Sequence, residues 1–522
     1  MRPQYSTRDP ASPRRRWVHR LPVPVRQHWK IVAAFAVFVT VLATVFGGTR
    51  IIPQITGDTK VIASEITDNI SGTVDLFDTS VSHEVSLEIT EAEYQDMITT
   101  FEKSGDKKWV TADITIDGTF INDVSIRLKG NSTLMGVRGD VARPGGNDFA
   151  PPEGMEMPEG MPAGSNPMAA MGPQATAEDP LSLPLLISFD ENASGRAYQG
   201  MTELSVRPGT PVLNEALSLS LTAETGQPTQ RYVYTTYSIN DGAATTRLLL
   251  EHPDATHADS LFDSDGYLYK ADANSRFEYV GDDQSDYADQ FKQINAADSG
   301  NLQPIINFLK WMDSADSAEF DAHLADWVDV DSFARYVATQ NLIANGDDMS
   351  GPGQNYYLWY DLDTQKITVI SWDLNLAMSG EATGGPHDSV SLGFGPREVP
   401  DSGTETGDTV QPADTAEGAG DGQNQDQQPQ EAGNGRGGPG RANPLETRFL
   451  ESEAFTAVYE SAYWELFDQM YGSGLAAELL DELADTIPVT DGLDAETLQA
   501  EIDELHTWID QRTATLSALR AA

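Results

Sequence analysis

The chain has 522 residues, 39% of them hydrophobic, no cysteine, and a formal net charge of −48. That length exceeds one ordinary domain and supplies enough apolar residues for a sizeable core, while the lack of cysteine excludes a disulfide framework and any thiol nucleophile. So acidic a chain repels nucleic acid and anionic lipid and attracts cations or basic partners.

Residues 1–30 carry eight Lys/Arg against the single acid Asp9, and Ile31 to Thr49 then gives 19 consecutive uncharged positions between Lys30 and Arg50. At helical rise this run spans about the 30 Å of a bilayer hydrocarbon core, which predicts a transmembrane anchor. The basic flank keeps the N-terminus cytoplasmic and places everything after Arg50 outside the cell membrane. A cleaved signal peptide is the alternative, although the basic stretch is long for one and no clear A-x-A site follows. After a linker over 50–79, the rest is expected to form one extracytoplasmic domain over 80–522. Beyond Arg50 there are 24 basic against 80 acidic residues.

That domain opens with strand patterns, HEVSLEIT from His83 and then KKWVTADITIDGTFINDVSIRLKG, whose alternation about Asp117-Gly118 predicts a hairpin. Residues 139–179 are dominated by Pro, Gly, Ala and Met and read as a disordered insertion, with the Met cluster compositional rather than a copper site. Next come the strand LPLLISFDE, the helix NEALSLSLTAETG and a strand pair, YVYTTYSI and TTRLLLEH. The D-S-D-G at Asp263 to Gly266 reads as a turn. Helices are predicted over NLQPIINFLKWM and HLADWVDVDSFARYVATQNLIAN. A second insertion, 398–443, belongs to a stretch without aromatics between Phe394 and Phe449. The last 75 residues read as helical, ending in a stripe of Leu498, Ile502, Leu505, Ile509, Leu516 and Leu519. The expected class is α+β: a β-rich half, then a helical half, preceded by one transmembrane helix.

No HExxH, G-x-S-x-G elbow or Walker A loop occurs, which leaves carboxylate chemistry. The stretch NGDDMSGPGQNYYLWYDLDTQKITVISWDLN, Asn345 to Asn375, concentrates it. YYLWYD and KITVISW form a hairpin around LDTQ, so Asn355 before the first strand and Asp373 after the second meet at its open end, about 5 Å apart if they face each other. An amide oxygen and a carboxylate are hard ligands suited to Mg²⁺ or Mn²⁺ carrying nucleotide phosphate. Asp347, on the preceding Gly/Pro loop, is then free to act as a base. An Asp, a following Asn, a hairpin and a metal-binding Asp is the order used by protein kinases, with different spacing. The same residues are also common caps and turn formers.

Several blocks together, IRLKGNST, DSDGYLYK, ADWVDVDSFARYVATQNLIAN, NGDD, QNYYLWYD and SWDLN, resemble the CotH kinase family, related to spore coat protein H. The resemblance runs with breaks from about His83 to the C-terminal helices. It implies an atypical protein-kinase-like fold and transfer of phosphate from ATP, with Mg²⁺ or Mn²⁺, to Ser/Thr of a secreted or surface protein, which the acidity suggests is basic. Carried over, it implies Asp347 as catalytic Asp with Asp348 as runner-up, and Asn355 and Asp373 on the metal beside Trp372. It places Arg127, Lys129, Asn131 and Ser132 near nucleotide phosphate, and Glu215 as the counterpart of the kinase helix glutamate. Three positions depart from the family. Leu186 and Ser188 stand where the strand commonly carries lysine, for which Lys129 or Lys270 could substitute; Asn375 replaces a second Asp; Ser371 replaces Pro. These departures keep a catalytically inactive pseudokinase or a surface binding protein as the alternative.

Overall fold

Along Val110–Ile116 every second residue (Val110, Ala112, Ile114, Ile116) is buried, as a pleated strand with one wet face requires. In the computed structural model this pattern recurs on neighbouring strands and closes a seven-stranded barrel. The structure describes residues 66–130, 133–138, 175–240, 242–273, 275–296, 301–390 and 442–522. The expected basic tail, transmembrane span and most of the linker lie outside these, as do Asn131, Ser132 and nearly all of both insertions. Among the described residues no helix is long and apolar enough to cross a membrane.

The short strand β1 (Asp68–Ile70) is followed by β2 (His83–Glu88), β3 (Val110–Ile116), β4 (Thr119–Leu128), β5 (Leu185–Ser188), β6 (Arg196–Tyr198), β7 (Glu203–Val206), β8 (Tyr232–Ile239) and β9 (Thr245–Glu251). The barrel order is β2-β3-β4-β5-β7-β9-β8, antiparallel except where β8 returns beside β2. The β3–β4 turn has Asp117 at φ 47° and Gly118 at φ 78°, the two positive values that a type I′ hairpin turn demands. Helix α1 (Glu91–Ser104), not anticipated from the sequence, buries Tyr94, Met97, Ile98 and Phe101, four residues in the barrel's own apolar cluster. Its start carries a T-x-x-E pattern, with Thr90 accepting from the Glu93 N–H, and Gly105 ends it at φ 76°.

Helix α2 (Leu213–Glu224) leads into the second half, where β10 (Gly266–Ala271), β11 (Phe291–Gln293), β12 (Tyr356–Asp361) and β13 (Ile367–Ser371) form an antiparallel sheet ordered β11-β10-β12-β13. Around it pack α3 (Gln303–Ser314), α4 (Ser317–Trp327), α5 (Val330–Leu342), α6 (Pro444–Glu451), α7 (Glu453–Phe467), α8 (Leu475–Thr486) and α9 (Ala495–Ala521). The α+β class therefore holds, with a sheet inside the helical half. The predicted stripe on α9 is buried from Leu498 to Leu516, whereas Leu519, in the last turn, is 47% exposed. Residues at the C-terminal edges of the two expected insertions are among those described. Ala175 is fully buried with its N–H on Thr133 O, and Asn443 is the buried N-cap of α6.

Candidate functional site

Strands β12 and β13 pair Tyr356 with Ser371, so continuing the register sets Asn355 across from Trp372, with Asp373 one residue further on. The two metal-type ligands are thus diagonal neighbours at the hairpin mouth rather than directly opposed. The loop before β12 is drawn in by Asp347. Its Oδ1 accepts the Gly353 N–H at 2.5 Å, and Asn355 Nδ2 donates to Asp347 O at 2.9 Å and to Oδ2 at 3.0 Å. A Cβ on Gly351 would lie 2.3 Å from Asp347 Cα, and one on Gly353 2.7 Å from Asp347 Oδ2; the Gly-Pro-Gly run exists so that backbone can close on this carboxylate. Burial pushes Asp347 up to about 6, helped by the charge of Asp373 and opposed by the hydrogen bonds from Gly353 and Asn355. A carboxyl tuned to that value is ionised at neutral pH yet basic enough to take a proton.

Asp373 has left-handed backbone, φ 57° and ψ 58°, a costly conformation for a non-glycine residue that clusters at functional sites. Its Oδ1 accepts from Arg207 Nη2, and the same nitrogen donates to Glu215 Oε1. Arg207 follows the end of β7, Glu215 lies in the first turn of α2, and Asp373 follows β13, so one guanidinium joins the barrel, α2 and the hairpin. Burial pushes Asp373 up, but Arg207, Lys129 and Lys270 together hold it below the usual carboxylate range; burial pushes Glu215 up despite Arg207.

Trp372, the neighbour of Asp373, is held between cations. Lys129 Nζ sits 4.9 Å and Lys270 Nζ 5.1 Å from its ring centroid, within cation–π range. His252 and Tyr357 meet the ring edge-on at 5.5 and 5.2 Å. Lys129 donates to Ser205 Oγ at 2.7 Å, which also pairs with His252 Nδ1 at 3.2 Å. Burial, then Arg207, depresses Lys129 well below an ordinary lysine, and burial lowers Lys270. Arg127 lies 4.8 Å over the Trp109 ring, its Nε–H buried without a partner among the described residues. Desolvated cations whose charge is not fully compensated are what a polyphosphate anion would bind.

Asp348 points elsewhere. It is buried, accepts from Ser350 N at 2.8 Å, and is pushed well up by burial and then by Glu446 of α6, which itself takes the Ser350 hydroxyl. Asp347, Asn355, Asp373, Trp372, Glu215 and Lys129 thus gather around one centre, with Arg127 at its margin; Asn131 and Ser132 are not described. Arg207 was not legible as a site residue. Its only sequence signal is a lone basic residue two positions before the β7–α2 turn's Gly209. Glu203 and His252, beside the lysines, were likewise unmarked.

Among the described residues no group of three or more His, Asp or Glu is arranged to hold a metal ion. A divalent ion here would have Asn355 and Asp373 as protein ligands and fill its other positions with water and phosphate oxygens, which suits Mg²⁺ or Mn²⁺. The donor set fits: with its nitrogen committed to Asp347, the Asn355 side-chain oxygen receives no hydrogen bond from a described residue, and the Asp373 side chain is 29% exposed. Cavities of about 370 Å³ along Asp494 to Glu504 and about 360 Å³ around Arg247 are not lined by Arg207, Glu215, Asp347, Asn355 or Asp373.

A family model described as CotH kinase protein matches residues 188–516, more than half of the chain. The chain belongs to the CotH kinase family. The matched region contains Arg207, Glu215, Lys270, Asp347, Asn355 and Asp373, whereas Arg127 and Lys129 precede it. No curated protein matches this sequence. As a CotH-family member the protein is kinase-like, and the mixed helix-and-sheet architecture agrees with that.

Proposed function

We propose that this CotH-family protein is a membrane-anchored extracytoplasmic kinase that transfers the terminal phosphate of ATP to a Ser or Thr hydroxyl of a secreted or surface protein. The observation that carries the reading is the convergence of Asp347, Asn355 and Asp373 beside an Arg207–Glu215 ion pair and two lysines. In this reading Asp347 accepts the hydroxyl proton, Asn355 orients Asp347 through its amide and offers its oxygen to the metal, and Lys129, Lys270 and Arg207 hold the phosphates. Mg²⁺ or Mn²⁺, held by Asn355 and Asp373, would neutralise charge on the transferring phosphoryl group. The net charge of −48 favours a basic acceptor protein.

The test is metal-dependent transfer of phosphate from ATP by the full-length chain, with the expectation that Asp373→Ala removes it. Equal transfer by the variant would strip Asp373 of the role. A second reading, a pseudokinase that keeps the fold to bind a partner, is favoured by Asn375 in place of a family Asp. Its backbone oxygen accepts from Asn214 Nδ2 at 2.7 Å. A melting temperature that ignores ATP and Mn²⁺ together would select that reading.

A further inference from the structure

The Arg207 guanidinium is nearly enclosed, its side chain 10% exposed, and its single nitrogen Nη2 serves both Glu215 and Asp373. Two polar atoms of this junction are left over: the Arg207 Nε–H and Glu215 Oε2 are buried and meet no partner among the described residues. A buried donor left without an acceptor keeps its full desolvation cost. The arrangement is therefore not the one that best uses the guanidinium, and an acceptor brought to it would be bound strongly.

Asp373 is in the opposite position. It is the more exposed of the two carboxylates, 29% against none for Glu215, and the one beside Asn355, yet an internal cation already covers it. A divalent ion approaching Asp373 meets Arg207, whose Nη2 donates to that carboxylate, and Lys129 and Lys270, whose ammonium groups sit over the ring of the adjacent Trp372. Against these cations stand Asp373 and Glu215, with Asp347 and, beside the lysines, Glu203, so the carboxylate that would receive a bare metal ion is already matched by positive charge. The repulsion between these cations and an approaching ion is twice as large for a divalent ion as for a monovalent one at the same distance. The same field attracts a phosphate anion.

We propose that Arg207 is a latch on Asp373 that a polyphosphate anion releases: the nucleotide binds first, drawing the guanidinium to its phosphates, and the divalent ion seats on Asp373 only afterwards. This rests on the nucleotide-binding reading above. It makes Arg207 both a phosphate-contacting residue and the residue that sets the order in which the site fills.

The wild-type, full-length chain supplies the first test without any change at Arg207. In EDTA, ATP is expected to raise the melting temperature by itself. Mn²⁺ alone, followed by loss of the free-ion paramagnetic resonance signal, is expected to bind wild type no more than it binds Asp373→Asn. In Arg207→Met the pattern should invert: ATP affinity in EDTA falls at least about tenfold, and a Mn²⁺ site appears that adding Asp373→Asn removes. Circular dichroism checks that Arg207→Met is folded; if it is not, the wild-type comparison decides alone. ATP binding that occurs only with metal present, or a wild-type Mn²⁺ site lost in Asp373→Asn without nucleotide, overturns the latch and leaves the kinase reading standing. Absence of nucleotide binding with or without metal removes both.

Discussion

Glu203, at the start of β7, offers a direct measurement of the field around the site. Its Oε2 lies 3.6 Å from His252 Nε2, and its backbone N–H donates to Asp254 Oδ2 at 3.2 Å. Burial, then Asp254, pushes its pKa from 4.5 up to about 7, against the pull of Arg127, Lys292 and Lys129. The folded state therefore binds this proton more tightly than the unfolded chain, and linkage makes stability fall as pH rises from the ordinary carboxylate value to the folded one. Across that interval the loss reaches about 3 kcal/mol at most, at 1.36 kcal/mol per pH unit, or roughly 1–3 kcal/mol once solvent screening of the side chain is allowed for. Glu203→Gln keeps the shape and removes the charge. Urea unfolding midpoints of the full-length chain and the variant, taken from pH 4 to 9, should coincide near pH 4, diverge as pH rises, and differ by about 1–3 kcal/mol in the variant's favour above pH 7. A difference that does not depend on pH, or one that grows in favour of wild type, would mean that Glu203 is solvated and does not feel the burial and the Asp254 charge that raise it.

Asp347, pushed up to about 6, should give phosphate transfer an ascending limb near that pH, because only the ionised carboxylate accepts a proton. Asn355→Ala, which deletes a hydrogen bond to the ionised form, should move the limb to higher pH, and an unmoved profile would separate Asp347 from the proton transfer. Gly353→Ala places a methyl 2.7 Å from Asp347 Oδ2 and 2.8 Å from Asn355 Nδ2; overpacking there should cost about 1–3 kcal/mol by chemical denaturation and depress transfer further than that loss of stability explains. Arg512→Met should destabilise by at least about 3 kcal/mol. This buried α9 residue donates to Leu342 O, Asn341 O and Oδ1, Ala382 O, Gly384 O and Tyr463 OH, and hydrogen exchange at residues 380–388 should rise with it.

What the sequence disclosed depended on how local the physics was. The β3–β4 turn, the β12–β13 hairpin and the α9 stripe are set by neighbours a few residues apart, and all three were legible. Helix α1 was missed because its apolar stripe is short and set among polar residues, although Thr90 and Glu93 carried a capping signal that would have marked its start. Parallel closure of the barrel by β8 on β2 joins strands some 150 residues apart (His83 pairs with Thr235), and no periodicity reports on that. Among the site residues, Asp347, Asn355 and Asp373 share one loop and hairpin and could be read together. Asp348, ranked behind Asp347 only through the family resemblance, faces Glu446 on a helix nearly a hundred residues later, so the fold supplies the physical reason that separates the two.

Arg207 shows why an absent motif residue is weak grounds for an absent interaction. Family members resembling this chain commonly carry lysine on the strand where Leu186 and Ser188 stand, and both are buried here. Leu186 pairs directly with Ser205 on β7, so Arg207 extends from the strand next to the vacated position. Glu215 is fully buried, and a buried carboxylate stripped of its cation costs about 3–5 kcal/mol. A chain that retains the glutamate in α2 is under pressure to supply a cation from some neighbouring strand, and the guanidinium, longer than an ammonium and able to serve two carboxylates, does so from one strand over. The buried glutamate, more than the missing lysine, is therefore the feature to follow in a sequence of this kind, because its charge obliges a partner to exist somewhere in the fold.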